Sequence, residues 1–166
     1  MKIFTGLKSK FKAKEKGFGV VELLAAIVII TVALVSIMEI YSFFIKAGSQ
    51  NEKRLQAVSL AQESIEAVHS LRDSDWNNIG NLSFDIAYYP DQSASPISWI
   101  LVPGQQSIYG FTRQIILKRV YRDANDNIVE SGGVEDLGTR KIISTVSWQD
   151  KGNFNVELAA YLTNWR

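Results

Sequence analysis

The sequence predicts an α+β fold, one long N-terminal helix followed by an antiparallel sheet of four or five strands packed on the helix's C-terminal half. Three observations lead there. From Phe18 to about Leu71 no proline occurs, and Gly48 is the one glycine between Gly19 and Gly80, so nothing breaks a helix. Near the C-terminus, Phe154, Val156, Leu158, Ala160 and Leu162 alternate strictly with Asn155, Glu157, Ala159, Tyr161 and Thr163, the period of a half-buried strand. Between these stretches all three prolines (Pro90, Pro96 and Pro103) fall within 14 residues, as in a looped region around short strands.

The helix has two halves. Residues 23–38 carry no charge, and the stretch to about Ile45 is apolar nearly all round, as expected of a helix in lipid or in a helical core. Glu39 lies 17 residues beyond Glu22, roughly 25 Å along a helix. That spacing puts Glu39 at an outer interface, with Tyr41, Phe43 and Phe44 as an aromatic belt and Lys46 among headgroups. A sharper reading makes Glu39 a contact to another subunit. From residue 46 to 72 the pattern turns amphipathic. Leu55, Val58, Ala61, Ile65, Val68 and Leu71 recur at helical spacing as the face a sheet would cover.

Before the helix stands a basic leader. Residues 1–17 hold six lysines and one glutamate. Without them the net charge of +1 becomes −4, from 12 basic and 16 acidic residues. The positive leader keeps the N-terminus in the cytoplasm and sends the rest outward, and the remainder has no basic patch suited to nucleic acid. Immediately after it come Lys16, Gly17, Phe18, Gly19, Val20, Val21 and Glu22, then the uncharged run. A carboxylate within an apolar helix costs a few kcal/mol and is usually functional. A secretory signal peptide would need a small-residue cleavage site after the run, and Ala47-Gly48-Ser49 is a poor one.

That order of leader, glycine, phenylalanine, glutamate and apolar run resembles the N-terminus of type IV prepilins and pseudopilins. The resemblance implies a pilin-like fold and a membrane-inserted precursor. A prepilin peptidase would cut between Gly17 and Phe18, Phe18 would be N-methylated, and Glu22 would serve assembly. It further implies other pilin subunits and an assembly platform protein as partners, and an extracellular pilus or periplasmic pseudopilus as the destination. The stretch from Leu60 to Trp76 resembles PilV-type minor pilins. The expected function is a structural subunit, a minor pilin of a type IV pilus. The alternatives are a type II secretion pseudopilin and, from another class, a membrane-anchored binding module. No cysteine is present, a departure from the pilins that close their C-terminal region with a disulfide.

The remaining chain, residues 73–166, reads as the sheet head. Residues 73–81 form a loop in which Asp73 and Asp75 satisfy turns rather than act as a catalytic pair. His69, the one histidine, reads as surface polar structure. Strands are expected over about 82–89, 97–102 and 111–122, and a hairpin joins 140–149 to 153–164 across Asp150-Lys151-Gly152. Ile142, Val146 and Trp148 share the parity of its buried face. Segments 73–81, 90–96 and 123–139 are expected as exposed loops. Asp123, Asn125 and Asn127 match the first, third and fifth positions of a calcium loop, but Ile128 stands where glycine belongs and Val134 where an acidic residue belongs. A solvated Asp/Asn turn is the preferred reading. No cofactor is expected, and the absence of a triad motif, metal-ligand spacing or phosphate-binding glycine loop argues against an enzyme.

Overall fold

The computed structural model describes residues 19–94 and 97–165. Gly17, Phe18 and the leader lie outside them. The chain divides into two compact units at the Ala47/Gly48 boundary. Helix α1, Val20–Ser74, contributes to both.

In the first unit, every described residue up to Lys46 is exposed. The hydroxyls of Thr31, Ser36 and Ser42 donate to the carbonyls of Val28, Val32 and Met38 at 2.8, 3.0 and 2.9 Å. The helix thereby absorbs its own polar groups, which leaves an almost wholly apolar surface.

The second unit holds the rest of α1, the short helix α2 (Asn77–Gly80) and seven strands. These are β1 (Ala87–Ala94), β2 (Ile97–Pro103), β3 (Gln106–Ile108), β4 (Phe111–Arg122), β5 (Ile128–Val129), β6 (Val134–Gln149) and β7 (Asn153–Thr163). All pairings are antiparallel. The order is β2-β1-β4-β6-β7, with β3 and β5 also attached to β4. The five-strand path fits the expectation, and the two short strands add to it. The β4 strand and the β6–β7 hairpin lie where their periodicity placed them.

Four expectations are corrected. The first expected strand begins at Ala87, not 82. Leu82 and Phe84 instead pack on the core from the connection after α2, and Asp85, at φ 62°, turns the chain into the sheet. The β6 strand reaches back to Val134 and β5 takes 128–129, so about half of 123–139 is strand and not loop. Residues 90–94 belong to β1. The loop expected at 73–81 contains the helical turn of α2, where Asp75 Oδ1 accepts the Asn77 amide at 2.9 Å. Asp73 pairs with Arg72 at 2.7 Å. Asp75 thus serves the chain exit, as the turn reading expects, whereas Asp73 pairs with a neighbouring side chain within α1.

The helix face also differs. Leu55 is 70% exposed, whereas Ala57, Ala61, Ser64, Ala67 and Val68 are buried, with Val58, Ile65 and Leu71 half-buried. The buried helix face is made mostly of small residues, and the larger core side chains come mainly from α2 and the strands. One core cluster joins Ala57 and Ala61 to Phe111 and Val146. Another joins Val68 to Ile79, Tyr88, Ile115, Leu117, Ile142 and Leu162. In the last hairpin Val156, Leu158, Ala160 and Leu162 take the inner parity. Phe154 is 38% exposed and stacks on Trp148 at 5.6 Å between centroids.

Candidate functional site

The candidate assembly element is the N-terminal part of α1. Gly19 caps the helix. Its carbonyl accepts the amides of Glu22 and Leu23 at 3.0 and 3.2 Å, and its own amide donates to Glu22 Oε2 at 3.0 Å. This is the glutamate half of a capping box, since Gly19 has no side chain to return the bond, with the Glu22 carboxylate against the positive end of the helix dipole. Glu22 Oε1 has no hydrogen-bond partner among the described residues, so one oxygen is available to an external cation. Pairing of Glu22 with an amino group on Phe18 falls outside the described residues.

On both sides of Glu22, eighteen large apolar side chains from Val20 to Ile45 are exposed. At about 1.5–3 kcal/mol per side chain, leaving them in water costs tens of kcal/mol. Val20–Ile45 would extend roughly 39 Å as a helix, enough to cross a hydrocarbon core of about 30 Å. It is the one helix among the described residues long and apolar enough to span a membrane. Phe43 and Phe44 meet edge to face at 6.1 Å, in the segment expected as an aromatic belt.

In the second unit, two arginines occupy inward positions of the sheet. Arg113 is 3% exposed. Its Nε donates to Gln106 Oε1 at 2.6 Å, Nη1 to Glu63 Oε1 at 3.1 Å and Nη2 to Pro90 O at 3.1 Å. One guanidinium thus ties α1, β1 and β3 to β4 through its fixed fork of donors. Arg140 is 6% exposed, donates to Leu137 O, Thr139 O and Gly80 O, and lies 4.8 Å from the Phe84 ring centroid and 5.6 Å from that of Trp76. Burial pulls its pKa down, and the stacked rings offset part of that cost.

No family model, curated protein or solved structure matches this chain. The geometry therefore carries the functional reading.

Asp123, Asn125 and Asn127 do come together, as a turn closed on itself. Asp123 Oδ1 accepts the Asn125 and Asn127 amides at 2.8 and 2.9 Å, and Oδ2 accepts Asn127 Nδ2 at 3.1 Å. Asp123 N donates to Asn127 O at 2.9 Å. The Asn127 side chain, followed by the loop amides, holds the Asp123 carboxyl below its ordinary pKa. Beside it Arg122 binds Asp136 Oδ2 at 2.7 Å and Asp126 O at 2.9 Å. A register shift between Arg119 and Tyr121 takes residues 136–139 of β6 out of the β4 ladder, next to this loop. Arg122, then Thr139, lowers the Asp136 pKa, and Asp136 raises that of Arg122. Among the described residues no three acidic, histidine or cysteine side chains form a metal-sized cluster.

The sequence reading passed over Arg113 and Arg140. Their signal was parity: Arg113 shares the period-two face of Phe111, Ile115 and Leu117, and Arg140 that of Ile142, Ser144 and Val146.

Proposed function

We propose that this protein is a structural subunit of a type IV pilus-like filament, of the minor-pilin kind. It would be made as a membrane-inserted precursor, cut after Gly17, N-methylated on Phe18 and packed through its N-terminal helix. The observation that carries the reading is the coincidence in one helix of Glu22 at the cap and an almost wholly apolar exposed surface behind it. Such a surface needs lipid before assembly and partner helices after it. The Glu22 oxygen that has no partner among the described residues supports an electrostatic role at the subunit contact, where a new α-amino group on Phe18 of a neighbour would be its complement. A buried ion pair of this sort sets register more than it adds stability. The chain itself carries no catalytic step in this reading. The sheet unit gives each subunit its outward surface, and the same construction would serve a type II secretion pseudopilus.

Intact mass spectrometry of the protein from membranes and from sheared surface filaments tests the proposal. The expected result is loss of residues 1–17 and one added methyl in the filament fraction. In a companion experiment Glu22→Val leaves the precursor in the membrane and keeps it out of filaments. An unprocessed N-terminus confined to membranes would instead make the chain a tethered binding module. A cut near Ala47 would make it an exported soluble domain.

A further inference from the structure

The sheet ends on β2, and that edge is open: among the described residues no strand pairs with its outer side. Exposed edges are usually blunted by lysine, an internal proline or a bulge. The β2 strand has none of these. Its residues Ile97–Pro103 include no charged side chain, proline falls only at the last position, and the register to β1 is regular over seven pairs. Ile100 is 40% exposed.

The parity of the ladder identifies the free groups. Gly104 N donates to Ala87 O at 2.8 Å, in line with the Tyr88↔Pro103 register. Hydrogen-bonded pairs therefore alternate through 89–102, 91–100 and 93–98. Pro90 and Pro103 fall in the other parity, where a missing amide costs this ladder nothing. The N–H and C=O groups of Trp99 and Leu101 consequently face the open edge.

A cleft of about 580 Å³ runs beside that edge. Its lining includes four consecutive β2 residues, Ser98 to Leu101, and Gln92 of β1, the cross-strand partner of Trp99. Across from β2 it is bounded by Leu71 and Ser74 of α1 and by Leu82. No ionisable side chain lines it.

We infer that the β2 edge and its cleft form a strand-addition site for an extended, uncharged segment of a partner protein. The backbone groups of Trp99 and Leu101 would supply the ladder, and the cleft, lined by uncharged polar as well as apolar residues, would take alternate uncharged side chains of the added strand. The lack of charge in the lining selects against acidic or basic residues at those inward positions, because an unpaired charge there would lose its hydration without gaining a partner. The inference rests on the sheet alone and does not depend on the filament reading.

The test uses the full chain in lipid nanodiscs and a capped hexapeptide, acetyl-Thr-Val-Thr-Val-Thr-Val-amide. Hydrogen exchange of segment 97–103 is followed by mass spectrometry. The peptide is expected to slow the Trp99 and Leu101 amides at least tenfold. The same peptide with alternate N-methyl groups should have no effect, nor should one with glutamate replacing valine. Trp99→Lys should lose the response while keeping the far-ultraviolet circular dichroism of the parent. Three results would overturn the inference. They are unchanged exchange at millimolar peptide, equal slowing by the N-methylated peptide, and protection that rises with protein concentration alone, which would assign the edge to a second copy. The wild-type comparison of the two peptides decides the matter even if Trp99→Lys does not fold.

Discussion

Arg113→Ala should be among the most damaging single truncations in the second unit, while removing its exposed acidic partner should do little. Truncation leaves Pro90 O without its donor in a place where Pro90 is fully buried. A stranded buried acceptor costs about 1–3 kcal/mol. The lost stem removes three methylenes from the interior, about 0.8 kcal/mol each. Together these predict about 3–5 kcal/mol. The Glu63 end of the pair, by contrast, is 44% exposed, so in Glu63→Ala water can reach the vacated Nη1 of Arg113 while Nε and Nη2 keep their acceptors, and the loss should be about 1 kcal/mol. Arg113→Lys keeps charge and stem but loses the fork to Gln106 and Pro90, and should fall between, near 1–2 kcal/mol. Urea unfolding of the detergent-solubilised full chain, read by tryptophan fluorescence, measures all three. With a urea slope of about 2 kcal/mol/M, Arg113→Ala should lower the midpoint by roughly 2 M. Equal losses for Arg113→Ala and Glu63→Ala would refute the reasoning, since the ion pair and not the buried fork would then be the main contribution.

Three further predictions follow from local geometry. Asp123, Asp136 and Asp150 all have depressed carboxyl pKa values, held down first by Asn127, Arg122 and Lys53 respectively. A depressed folded-state pKa gives stability that is present above the ordinary carboxylate range and lost as pH falls through the folded value. The second unit should therefore keep its urea midpoint from neutral pH to the top of that range and lose it below, and Asp136→Asn should flatten this acid limb. At Gly133 an added Cβ would sit 2.4 Å from the Arg122 carbonyl oxygen, whereas at Gly48 nothing lies within 4 Å. Gly133→Ala should destabilise by about 1–3 kcal/mol, and Gly48→Ala should raise helix stability by about 0.5–1 kcal/mol, as melting curves of the two variants would show. Ser144 is fully buried and its hydroxyl has no partner among the described residues, so Ser144→Ala should be neutral or stabilising by up to about 1 kcal/mol in the same urea assay.

The sequence by itself determined the elements whose signals are local. A 55-residue helix followed from the absence of any breaker. The β4 strand and the β6–β7 hairpin followed from period-two alternation and the Asp150-Lys151-Gly152 turn. The apolar run that makes the first unit a candidate membrane span was legible for the same reason, since its composition needs no partner to be recognised. Tertiary structure decided what depends on approach. Ala57, Ala61 and Ser64, not Leu55, take the buried face, because which helix face is covered depends on the side chains the strands present to it. Arg113 and Arg140 go inside because carbonyls, amides and aromatic rings from distant segments meet them there. The open edge of β2 exists only because the strand order places β1 between it and β4, and strand order is a property of long-range pairing that no local pattern encodes.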